Sequence, residues 1–198
     1  LKKIHGLFAL WPIASNLLAT GQCNRYDSPN PNNQLHRGFG PVKRILFVCL
    51  GNICRSPAAQ GIAQWLIEQR GWTDCVSVDS AGTSNYQAGR PADPLMQRAA
   101  QARGYQLLSR SKQLNERMIR ENGLVIAMDR ENYREIHLIS RGEMGHIRLL
   151  SEFLDDRWPR DVPDPYRGPE QGFEFVLDML ESALPAILDS IPGLESSK

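Results

Sequence analysis

The run Lys43-Arg44-Ile45-Leu46-Phe47-Val48-Cys49-Leu50-Gly51-Asn52-Ile53-Cys54-Arg55-Ser56-Pro57 passes from strand signals to helix signals without a break. Ile45 to Val48 form an unbroken apolar run, the pattern of a parallel strand buried on both faces. Ser56 and Pro57 are helix openers, one as an N-cap and the other at the first helical position. Between them stands Cys-x5-Arg. A loop this tight can turn successive backbone N–H groups inward as a nest for an anion. The helix behind it adds its positive end, a recurrent phosphate site. Arg55 can close the cradle with a planar fork matched to two phosphate oxygens. Cys49 lies at its base, where the same donors and cation favour a thiolate. A lone cysteine at the end of a strand is more often plain core, but Gly51-Asn52 inside the loop and Ser-Pro after it favour the cradle.

Outward from this stretch the alternation of strand and helix is regular. Residues 56–70 place Ala59, Ile62, Ala63, Leu66 and Ile67 on one helix face and stop at Gly71. Residues 75–80 read as a second strand, with Ala81-Gly82-Thr83 turning away from it and 85–91 a loop punctuated by Gly and Pro. Pro94, capped by Asp93, opens a helix to Arg103. A short helix over 115–121 precedes a third strand, 124–128. Asp129 begins the helix 130–140, with Tyr133, Ile136 and Leu138 or Ile139 inward. Residues 146–150 read as a fourth strand. A polar, proline-rich loop over 157–169 leads to a last helix whose Phe173, Val176, Leu177, Leu180, Leu184, Ile187 and Leu188 recur at core spacing, with Pro185 a kink point. The expected fold is α/β: one domain over 43–192, a four-stranded parallel sheet with helices on both faces. Such sheets bind ligands beyond the carboxyl ends of their strands, where Cys49 falls.

Composition agrees with a soluble domain plus an extension: 198 residues, 41% hydrophobic, 23% charged, net charge +1. No global field favours nucleic acid or a membrane. Residues 1–44 carry six Lys/Arg against one Asp, while 151–181 carry nine acids against three Arg, so the acidic end is the place to seek a catalytic carboxylate. Cys23, Cys49, Cys54 and Cys75 include no Cys-x2-Cys pair, and a chain this size needs no disulfide staple, which suggests a reducing compartment. His5, His36, His137 and His146 are scattered without ligand spacing, so no metal is expected. Residues 1–42 stand apart. Lys2-Lys3 and the mostly apolar Ile4 to Ala19 resemble a signal peptide, but His5, Pro12, Ser15 and Asn16 interrupt it and Gln22 before Cys23 disfavours a lipoprotein signal. Residues 24–40 are rich in Asn, Pro and Gly. With Leu1 rather than Met at its head, 1–42 reads as a flexible or misassigned extension; 193–198 reads as a tail.

A thiolate that accepts a phosphoryl group needs a separate acid for the departing oxygen. Asp164 is the best candidate, fixed between Pro163 and Pro165 and followed by Tyr166, whose ring can flank an aromatic substrate. With VCLGNICRSP at 48–57 and Asp164-Pro165-Tyr166-x-Gly168, the chain resembles the low-molecular-weight protein tyrosine phosphatase family over about 43–192. Ser80-Ala81-Gly82-Thr83 and Met128-Asp129 with Asn132 match further landmarks. The resemblance implies that Cys49 attacks phosphorus, that Arg55 and the loop Leu50, Gly51, Asn52, Ile53, Cys54 and Ser56 hold the phosphate, and that Asp164 protonates the phenolate and then activates water. Ser56 would steady the thiolate. Ser80, Asp129 and Tyr166 would support the site, and Cys54 would trap oxidised Cys49 as a disulfide. It also implies no cofactor, phosphotyrosine proteins as partners rather than nucleic acid or membrane, a cytoplasmic location, and a monomer or weak dimer.

Departures from the family pattern matter. Arg167 stands where many members carry a second aromatic, and Ser109 falls where a histidine often backs the loop asparagine. Ile53 replaces the threonine of arginine phosphatases of this fold and so favours phosphotyrosine. Two other readings share the loop. An arsenate reductase needs downstream cysteines to relay a disulfide, and none follows Cys75. A phosphate-binding module needs neither a nucleophile nor an acid.

Overall fold

The computed structural model describes residues 43–141 and 146–194; the expected extension over 1–42 and residues 195–198 of the expected tail 193–198 lie outside them. Strands β1 (Lys43–Cys49), β2 (Val76–Gly82), β3 (Leu124–Ala127) and β4 (Ile147–Leu149) pair in parallel in the order β2-β1-β3-β4. Between and after them come helices α1 (Arg55–Gln69), α2 (Pro94–Ala102), α3 (Glu116–Glu121), α4 (Arg130–Ile139) and α5 (Glu170–Asp189).

The unbroken apolar run of β1 follows from its central place. Ile45, Phe47 and Cys49 face the core shared with α1, α2 and α5, whereas Leu46 and Val48 face the one shared with α3 and α4. Both faces are covered, so alternation has no use here. Burying each of these large side chains contributes roughly 1.5–3 kcal/mol before entropy is counted. On α5, Phe173, Val176, Leu177, Leu180, Leu184, Ile187 and Leu188 are all buried in the first core, with Pro185 inside the helix. Ile191 and Leu194 are buried in the same core. On α4 the inward choice is Ile139, packed with Tyr133 and Ile136, because Leu138 is 72% exposed.

The chain leaves β1 for β2 on one side and then returns across β1 to reach β3 on the other. The carboxyl ends of β1 and β3 thus flank the switch point where such sheets bind ligands. The Cys49 loop emerges from one and Asp129 from the other.

The elements differ from expectation in three places. β2 continues through Ala81 and Gly82, which pair with Val48 and Cys49 instead of turning away. Helix α1 begins at Arg55 after Cys54, with no side-chain cap, so Ser56 lies inside the first turn rather than capping it. Pro57 remains tolerable there because first-turn N–H groups have no helical acceptor. After β4 the chain makes a 3₁₀ turn over Leu150–Phe153 rather than extending the strand.

Candidate active site

The Leu50–Cys54 loop is gripped by its carbonyls. Thr83 N–H donates to Cys49 O (2.9 Å), Ser84 N–H to Leu50 O (2.9 Å) and Asp93 N–H to Ile53 O (2.7 Å). The Ser111 hydroxyl donates to Gly51 O at 2.9 Å. With these carbonyls drawn outward, the loop's N–H groups are left for the interior; that of Asn52 lies 3.3 Å from Cys49 Sγ.

Asn52 is the keystone of this bend. Its φ of 51° is left-handed, a conformation costing on the order of 1 kcal/mol for a residue other than glycine. Three hydrogen bonds of its buried side chain offset that: Nδ2 donates to Ser56 Oγ and to Ser80 Oγ, both at 2.9 Å, and Oδ1 accepts from Lys112 N–H at 3.0 Å. Ser56 Oγ stands 3.1 Å from Cys49 Sγ and 3.3 Å from Ala81 O. Its hydroxyl is therefore committed to the loop, the physical reason it does not cap α1. The loop could not lie so close to β2 if Gly82 carried a side chain, since a Cβ there would come within 2.7 Å of Leu50 O and 3.1 Å of Asn52 N. Extension of β2 through Gly82 and closeness of the loop are one feature.

Arg55 is buried, its side chain only 4% exposed. Nη1 donates to Asp129 Oδ2 (2.5 Å) and Val162 O (3.1 Å), and Nη2 to Asp164 Oδ2 (3.0 Å). Burial opposes the charge, but Cys49, Asp164 and Asp129 outweigh it and hold the guanidinium above its ordinary range, so it remains a cation. The two carboxylates differ in anchorage. Asp129 is 17% exposed and also caps α4 through Asn132 N–H at 2.6 Å. Asp164 is 42% exposed and, among the described residues, otherwise accepts only the N–H of Tyr166 (3.2 Å), which shapes its turn. These groups open onto a cleft lined also by Leu50, Arg130, Asn132 and Arg134.

Cys49 and Cys54 are free thiols. Burial, then Asp93 and Cys49, push the Cys54 thiol far up, so it stays neutral. Tyr166 is partly exposed beside Asp164, and the guanidinium of Arg167, whose own φ is 63°, stacks 5.3 Å over its ring. Leu50 and Tyr86 are further exposed apolar side chains, on the cradle and on the loop hydrogen-bonded to it. The residues singled out from sequence thus converge from β1, the loop, β2, the end of β3 and the proline-rich loop. Those missed are Ser111, Lys112 and Gln60, whose Oε1 accepts from Ser80 Oγ at 2.6 Å. The hydroxyl that reaches the loop from this side is that of Ser111, two positions beyond Ser109. Among the described residues no group of three or more His, Cys, Asp or Glu is placed to hold a metal ion.

Residues 44–194 match the family model described as low molecular weight phosphotyrosine protein phosphatase. A Synechocystis sp. protein assigned to the low molecular weight protein-tyrosine-phosphatases is 41% identical over 150 residues, 75% of this chain and 96% of that one. A protein tyrosine phosphatase from Entamoeba histolytica, solved with Hepes in its active site, superimposes with a TM-score of 0.70 at 36% identity, covering 74% of this chain and 95% of that one. YfkJ from Bacillus subtilis gives 0.73 at 32% identity, covering 78% and 97%.

Proposed function

Because the chain belongs to the low molecular weight phosphotyrosine protein phosphatase family, we propose that it hydrolyses phosphotyrosine in proteins through a phosphocysteine formed on Cys49. The observation that carries this reading is the setting of the Cys49 sulfur. It faces the Asn52 N–H and the Ser56 hydroxyl at the base of the loop, and the Arg55 cation follows six residues on with Asp164 held against it.

In this reading the phosphoryl group enters the cradle and takes Nη2 of Arg55 from Asp164, the more exposed and less anchored of the two carboxylates. Asp129 keeps its hold on Nη1 and so keeps the guanidinium aimed. The Cys49 thiolate attacks phosphorus; the S–P bond forms as the bond to the phenolic oxygen breaks, and protonated Asp164 gives that oxygen its proton. Water then attacks the phosphocysteine while the Asp164 carboxylate takes a proton from it. The S–P electron pair returns to sulfur, and the Ser56 hydroxyl donates a hydrogen bond to the thiolate so formed. The loop N–H groups and Arg55 stabilise charge on the transferring oxygens throughout, so no metal is required by this chemistry.

Peptides carrying phosphotyrosine, phosphoserine or phosphoarginine, assayed with chelator present, test the substrate class. Phosphotyrosine is expected to turn over fastest, given Ile53 in the loop; preference for phosphoarginine, or activity that disappears with chelator, overturns the reading.

The same proposal makes Cys54 the partner of oxidised Cys49. Hydrogen peroxide converts the Cys49 thiolate to a sulfenic acid; Cys54 sulfur attacks it, a disulfide forms, and its proton leaves with the hydroxyl as water. Mass spectrometry after brief peroxide treatment is expected to find a Cys49–Cys54 disulfide that thiol reverses. Finding only sulfonic acid on Cys49 rejects that role.

A further inference from the structure

We propose that Gln60, which the mechanism above does not use, is a positioning residue that sets the direction of a hydrogen-bond relay ending on the Cys49 sulfur. The inference rests on the reading of Cys49 as nucleophile. Its basis is the accounting of hydrogens along the chain of contacts behind the loop.

Asn52 fixes the first of these hydrogens. Because Lys112 N–H donates to Oδ1, the amide nitrogen must face the other way, and its two hydrogens go to Ser56 Oγ and Ser80 Oγ. Each serine oxygen is thereby an acceptor, so each hydroxyl hydrogen must point elsewhere. For Ser80, fully buried, the outlet is Gln60 Oε1 at 2.6 Å. For Ser56 the outlets are Ala81 O and Cys49 Sγ, and a thiolate, as the charged acceptor, takes the hydrogen. Gln60 stands one turn after Ser56 on the same face of α1. The relay therefore leaves α1 at Gln60, crosses β2 at Ser80 and the loop at Asn52, and returns to α1 at Ser56.

Without the Gln60 oxygen the Ser80 hydroxyl has no side-chain acceptor among the described residues. Its hydrogen is then free to turn toward Asn52 Nδ2, where it meets another donor. The Asn52 amide is pushed off its two-acceptor geometry, and the Ser56 hydroxyl loses the contact that keeps its hydrogen on the sulfur. The ordinary role of a half-buried helical glutamine, capping its own surface, makes no such link. A glutamine serving only to pack would be replaced by leucine without effect on the sulfur.

The test compares Gln60→Leu, which removes the acceptor at similar bulk, with Gln60→Glu, which keeps it, and with Ser80→Ala alone and combined with Gln60→Leu. Two readouts are taken: kcat with p-nitrophenyl phosphate, and the pH dependence of Cys49 alkylation by iodoacetate, which needs no turnover. Arg55 and Cys54, which feel the charge on Cys49, and Asp129 and Asp164, which hold Arg55, are the same in every variant.

Gln60→Leu is expected to lower kcat about three- to tenfold, the size of one hydrogen bond. It is also expected to move the alkylation midpoint up by roughly half to one pH unit, while inorganic phosphate still binds within about twofold, the loop's own donors being unchanged. Gln60→Glu is expected to restore kcat, and the double variant to be no worse than Ser80→Ala. An alkylation profile that overlays the wild type, a Glu variant as slow as the Leu variant, or losses that multiply in the double variant overturns the relay. Wild-type protein that alkylates at Cys49 but hydrolyses no phosphotyrosine would instead count against the proposed function.

Discussion

Cys49→Ser is expected to abolish turnover while leaving the anion site intact. The neighbours of the sulfur are donors and a cation: the Asn52 N–H, the Ser56 hydroxyl and, through the cradle, Arg55. Such surroundings stabilise an anion already formed and offer nothing to remove a proton. A thiol can reach its anion near neutral pH, but a serine hydroxyl cannot without an adjacent general base. Among the described residues no group hydrogen-bonded to Cys49 can serve as one, since Ser56 is itself a donor in the relay. The substitution should therefore reduce kcat with p-nitrophenyl phosphate on the order of 10⁴-fold or more, the scale seen when a nucleophile is removed. Inorganic phosphate should still bind, measured by calorimetry, because the loop's N–H groups and Arg55 are retained. A serine variant that turns over within tenfold of the wild type would mean the phosphoryl group never passes through residue 49.

What could be read from sequence, and what could not, divides along a physical line. β1 and α5 were legible because burial imposes a local pattern: a strand covered on both faces is apolar throughout, and a core helix carries its stripe at helical spacing. Cys-x5-Arg was legible because one short loop between strand and helix carries both the thiol and the arginine, so their spacing stands in the local sequence. The extension of β2 through Gly82 was not, since Ala81-Gly82-Thr83 is locally a good turn. Only the approach of Leu50 O, from a segment 32 residues earlier, explains why glycine is needed. Ser56 looked like a cap because serine before proline usually is one. Its true acceptor and donor are Cys49 and Asn52, and that exchange is visible only once the loop is bent. Gln60 and Ser111 carry no local signature at all, their partners being 20 and 60 positions away.

Asp164→Ala separates two roles that the contact with Arg55 superimposes. Asp164 lies 3.0 Å from Arg55 Nη2, so it could be a structural counter-ion, or an acid waiting for the phosphoryl group to displace it. As a counter-ion its loss would leave a buried cation less well paired, weakening phosphate binding and rate together. As the acid, its loss removes proton donation alone. Aryl phosphates whose phenols are weak acids should then slow by about 10²–10⁴-fold, while p-nitrophenyl phosphate, whose phenolate departs unaided, should slow far less. Asp129 still holds Nη1 at 2.5 Å and keeps the guanidinium in place, so removing the carboxylate that competes for Nη2 should leave phosphate affinity unchanged or tighter. Rates for a series of aryl phosphates, with phosphate affinity measured on the same variant, decide the matter. A slope against phenol acidity that steepens with binding preserved makes Asp164 the acid. Parallel loss of binding and rate across the series makes it a structural partner of Arg55, and the proton must then come from elsewhere.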